Sequence, residues 1–146
     1  MDKPDRALQE LARHVIRTGA EASPATTTAA ADAMQGSCGE LYRILEAAMG
    51  PAGLQALLGR AVQIASRDHP WLGAVKTGTA ADCPLSGLSE AAARLDVDEA
   101  MNGYAALLAT IVWLLITFIG HDLTLRFVRT AWPNVSLRKL SEGLKE

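Results

Sequence analysis

The sequence predicts an all-α protein, a bundle of four to five helices around one long central apolar helix. Three observations predict it. Apolar residues recur at i, i+3, i+4, i+7 and i+8 in several separate segments, the spacing that lines one face of a helix. One stretch, GYAALLATIVWLLITFIGHDLTLRFVRTAWP from Gly103 to Pro133, is apolar on every side over its first half. No segment alternates apolar and polar residues as a half-buried strand does, and no repeat of solenoid period is visible. At 146 residues the chain has the size of one domain and enough length to bury a core.

The first helix is expected over Pro4 to Thr18. Leu8, Leu11, Ala12, Val15 and Ile16 fall on one face, while Arg6, Gln9, Glu10, Arg13 and Arg17 point elsewhere. Pro4 suits a first helical turn and Gly19 suits an exit. Residues 20–38 are rich in Ala, Thr, Ser and Gly and almost lack large apolar side chains. They read as a low-complexity linker, or as a poorly packed helix around Ala29 to Met34. The chain then divides into an N-terminal amphipathic helix (1–19), a linker (20–38) and a helical bundle domain (39–146). The first helix either packs back on the body or reaches a partner.

The body opens near Glu40 with Leu41, Ile44, Leu45, Ala48 and Met49 on one stripe. Gly50 ends that helix and Pro51 starts the next, which carries Leu54, Leu57, Leu58, Ala61 and Ala65. So short a connection makes the two helices a hairpin or corner in contact. Pro70 disfavours a helical His69, so the second helix stops around Asp68 to Pro70. Trp71 to Leu88 is a Gly-, Thr- and Pro-rich loop, with Trp71, Leu72 and Val75 tucked toward the core. Ser89 is placed to cap a short helix from Glu90 to Leu95. Asp96 and Glu99 then have capping-box spacing for the long helix, Asp98 to Ala131, which the Trp132–Pro133–Asn134 sequence stops. A last amphipathic segment, Ser136 to Leu144, carries Leu137, Leu140 and Leu144.

Tyr104 to Gly120 is uncharged and at the lower edge of bilayer-spanning length, which needs about 20 residues. A single membrane span is therefore the competing reading. Against it, the helical pattern continues through Leu123, Leu125, Phe127 and Val128, and His121 and Asp122 follow Gly120 at once. Lengthening the span would bury a carboxylate at a cost of a few kcal/mol. A helix apolar all round is also what the centre of a soluble bundle requires.

Chemistry is sparse. Net charge is −2 with a pI near 5.9, and aromatics make up 5% of residues, so neither a basic phosphate-binding face nor a base-stacking platform is expected, and nucleic acid is not an expected partner. Cys38 and Cys83 fit no zinc spacing and are too few for a disulfide scaffold; reduced structural thiols in a cytoplasm are expected. The charged N-terminus has no apolar signal-peptide core. Abundant Ala, and Arg over Lys, point to a GC-rich bacterial source. KTGTAADC (Lys76 to Cys83) lacks the order of a phosphate loop. His121 and Asp122 abut the apolar stretch, but adjacent helical residues point about 100° apart and do not make a natural dyad. No catalytic or metal-ligand constellation is present in the pattern, and no cofactor is expected.

The sequence thus favours a non-enzymatic protein-interaction or regulatory module that binds another protein, or itself, through amphipathic helix faces. The candidate partner-binding residues are Leu8, Leu11 and Val15 on the first helix, the Asp122, Arg126 and Arg129 ridge, and Trp132 as an exposed anchor. A small single-pass protein of the inner membrane and a helical carrier of a small ligand or cofactor, with His121 at its mouth, are the alternatives.

Overall fold

The computed structural model describes residues 6–19, 26–77, 85–133 and 135. It is an all-helical bundle: α1 (Arg6–Gly19), α2 (Thr27–Ala65), a 3-10 turn (Pro70–Ala74), a one-turn α3 (Leu88–Ala91), α4 (Val97–Ile119) and α5 (His121–Ala131). The only extended pairing among the described residues is a two-residue antiparallel contact, Lys76–Thr77 with Leu85–Ser86. The C-terminal segment from Ser136 lies outside the described residues, as does most of the KTGTAADC loop with Cys83.

α4 is the central helix, packed by α1, α2 and α5. Asp96 caps it, accepting from the Glu99 backbone N–H at 2.8 Å, and Asp98 and Glu99 place negative charge at the positive end of the helix dipole. Every residue from Gly103 to Val112 is buried, which is nearly three turns enclosed on all sides. Thr110 sits in this core without a partner from another helix because its hydroxyl donates to the Ala106 carbonyl at 2.7 Å. α4 is the one helix among the described residues long and apolar enough to cross a membrane by length and composition, and 67% of its most apolar stretch is buried in the bundle.

The sequence-based expectations need correction at three places. The segment 20–38 is no linker from Thr26 onward. Thr26 caps α2 by accepting from the Ala29 N–H at 3.0 Å, and Ala30, Met34 and Cys38 are fully buried. Ala31 and Ala33 are buried beside them, so small side chains are part of the core here.

The long helix, secondly, is two helices. Gly120 stands at φ 89°, ψ 165° between α4 and α5, a backbone region essentially reserved for glycine. Gly50 does the same inside α2 at φ 81°, ψ 164°, with Pro51 beginning the second arm as expected. Both bends are helix–glycine–helix elbows. Just past the Gly50 elbow, a Cβ on Gly53 would lie 3.2 Å from the Met49 Cβ. Thirdly, α3 begins at Leu88 after Gly87 (φ 82°), so Ser89 lies inside that helix and does not cap it.

The 3-10 turn closes the end of the bundle where α4 begins. Leu72 and Val75 are buried as expected. Trp71 meets Tyr104 edge to face, ring centres 5.5 Å apart, and lies so close to Gly103 that a Cβ there would fall 2.1 Å from the indole. Tyr104, fully buried, donates its hydroxyl to the Leu88 carbonyl at 2.8 Å and so ties α3 to the core.

Two buried acids make the fold sensitive to high pH. Burial pushes the Cys38 thiol up from 9.0 to about 12, opposed in part by a hydrogen bond with Tyr42. Burial, and then the Glu90 charge, push the Tyr104 phenol upward as well. Between the unfolded and folded pKa values the folded state holds more protons than the unfolded state, so stability falls as pH rises. The urea midpoint is expected to decline from about pH 9 upward, and Cys38→Ala is expected to flatten the start of that decline. A midpoint constant from pH 8 to 11 would contradict the burial of these groups.

Candidate functional site

The structure separates the sequence-predicted residues into two sets. Leu8, Leu11 and Val15 are buried against the rest of the chain, where α1 packs on α4 and α2. Their stripe is already filled by the protein's own core, so α1 does not offer it to a partner. Trp132 is also buried, and its indole N–H donates to the Ser37 carbonyl at 2.6 Å. It is an internal anchor, contrary to the expectation of an exposed one. The Ser37 hydroxyl in turn donates to the Val15 carbonyl at 3.3 Å. Ser37 thereby joins α1, α2 and the end of α5 at one buried point.

Asp122, Arg126 and Arg129 are exposed on the outer face of α5, whose inner face buries Thr124, Val128 and Ala131. Asp122 contacts the ring of His121, Oδ1 to Nδ1 at 3.5 Å. The geometry of a first helical turn after the Gly120 elbow brings these neighbours together despite their 100° separation. Asp122 is fully solvated, so the contact is weak and places His121 no nearer a reactive role.

Beside this ridge lies a feature the sequence did not single out. Phe118 (66% exposed) and Leu123 (38%) are the exposed large hydrophobic residues of the described chain, and they flank Gly120 on either side. Trp113, Ile116, Ile119 and Phe127 on the same two helices are partly buried and pack against the core. The elbow is therefore an apolar tip followed by a charged ridge. The signal for it was Gly120 followed by Asp122, an acidic residue in the first turn of a new helix, which marks a helix start.

Elsewhere, an open depression of about 620 Å³ runs along the first arm of α2 toward Pro51. It is hollow because Gly36, Gly39 and Ala47 carry no long side chain, and Glu40 and Arg43 pair beside it at 2.8 Å. Among the described residues no group of three or more His, Cys, Asp or Glu is placed to hold a metal ion. Comparison with protein-family models, with curated proteins and with solved structures found no match. The class defined by the fold and the site is thus a small helical bundle with one apolar elbow.

Proposed function

We propose that this protein is a non-enzymatic interaction module that docks another protein, or a second copy of itself, through the α4–α5 elbow. The observation that carries this reading is the clustering of Phe118 and Leu123 at one bend, next to the Asp122, Arg126 and Arg129 ridge. An exposed phenyl ring beside arginines has the composition of an interface anchor, and scattered exposure would not place both residues at one site. The ridge carries both signs of charge, so a second copy docked about a two-fold axis could set Asp122 against an arginine of its mate.

The test is light scattering across a concentration series. Wild-type protein is expected to show mass above the monomer as concentration rises, and Phe118→Arg is expected to remain monomeric with an unchanged far-UV spectrum. Equal behaviour of the two proteins would remove self-association through the elbow.

A membrane-facing role is the second reading, favoured by the length and apolarity of α4 and by the exposed apolar residues at its C-terminal end. Sedimentation with lipid vesicles, abolished by Phe118→Arg in the absence of any protein partner, would favour it over protein docking.

A further inference from the structure

A groove of about 340 Å³ separates α1 from the start of α4 at the end of the bundle where His69 closes α2. Its size lies within the range of small-molecule sites, about 300–1,000 Å³. Its lining includes two arginines, Arg6 and Arg13, with the amide side chains of Gln9 and Asn102 and the ring of His69. The one carboxylate among the lining residues, Glu10, is engaged by Arg6 at 3.3 Å. That leaves the guanidinium of Arg13 without a carboxylate in the groove.

Arg13 is not a loose surface side chain. It is half-buried, and its Nη1 donates to the Asn102 side-chain carbonyl across the α1–α4 boundary. This contact fixes the plane of the guanidinium and orients the Asn102 amide. The Arg13 Nε–H is buried with no acceptor. A buried charged donor left unmet is unfavourable, and the guanidinium has a rigid fork of five donors suited to a pair of oxygens. With Nη1 held by Asn102, the remaining Nη2 group of the fork is the donor available to an oxyanion in the groove.

We propose that this groove binds the oxyanion group of a small ligand, a carboxylate or a phosphate, with Arg13 as the principal donor and Asn102 holding it in place. Charge selects the ligand: the guanidinium in excess of Glu10 favours an anion and disfavours a cation. The apolar surface in the groove is limited to Ala105 and the stems of the long side chains, so recognition rests on the charged head of the ligand. This proposal is independent of the docking elbow, which lies at the other end of α4.

The experiment titrates wild-type protein separately with inorganic phosphate and with acetate in low-chloride buffer, following the Arg13 Nε–H signal and the backbone amide signal of residue 102 by NMR, the second of which is present in every variant. A saturable shift of both signals is expected with at least one anion. Saturation by phosphate alone would assign a phosphorylated ligand, and by acetate alone a carboxylate. Asn102→Asp supplies an internal carboxylate to Arg13; it is expected to weaken binding at least about tenfold without lowering Tm. Arg13→Gln is expected to weaken it comparably. The absence of saturation at tens of millimolar of either anion would overturn the proposal. So would a saturable shift that survives intact in both variants, because the anion would then sit elsewhere.

Discussion

Ile111→Arg is expected to unfold the bundle. Ile111 is completely buried in the central three turns of α4, with α1, α2 and α5 around that helix. An arginine there loses the apolar contacts of isoleucine and places a guanidinium where no carboxylate waits. Mechanisms of this kind cost more than about 4 kcal/mol, against a total stability of about 5–15 kcal/mol for a typical domain. Circular dichroism in detergent-free buffer is expected to show a melt lowered by tens of degrees or no cooperative melt at all. Phe118→Arg, on the same helix but two turns on and exposed, is expected to change stability by less than about 0.5 kcal/mol. The contrast between the two arginines measures where the enclosed part of α4 ends. Equal, mild effects would show that Ile111 does not face a packed core.

The second large effect concerns the elbows. Gly50→Ala and Gly120→Ala are each expected to cost about 1–3 kcal/mol, or roughly 3–10 °C in Tm for a chain of this size. The space at both positions is open, since an added Cβ would meet nothing within 4 Å. The penalty therefore comes from the backbone alone, held at φ 81° and 89° where a Cβ clashes with its own chain. Gly36→Ala is the control: it is helical, equally open and at ordinary φ, so alanine there is expected to stabilise by up to about 1 kcal/mol. Elbow variants as stable as the Gly36 variant would mean that the helices do not bend there.

The helical class and most of the helix faces were legible in the sequence because burial imposes a 3.6-residue period. Leu8, Leu11, Val15 and Ile16 repeat at that period, and all four are buried. What that period does not reveal is the surface that meets it. The α1 stripe was assigned to a partner, whereas α4 and α2 fill it, and the two cases have the same pattern in sequence. The beginning of α2 is harder to read because its small side chains lack the bulk that usually marks a packed helix face. Ala30, Met34, Cys38, Leu41 and Leu45 continue one stripe through the supposed linker, and alanine and cysteine are full members of it.

The Gly120 elbow escaped for a different reason. Apolar residues keep a helical spacing on both sides of it, and an interior glycine costs a helix only about 1 kcal/mol, so the pattern alone does not distinguish a bend from a continuous helix. The groove around Arg13 was beyond any local pattern, since Arg13 and Asn102 are 89 positions apart.

The buried junction at Ser37 has a consequence for synthesis. Trp132 reaches Ser37 from 95 positions further along the chain. On the ribosome, α1, α2 and α4 emerge before the residue that seals them, and the apolar surface of α2 that α5 will cover stays open meanwhile. Contacts this distant in sequence slow folding, and surface left exposed in the interim is a target for aggregation and for chaperones. A nascent chain halted before Trp132 would be a client for such factors.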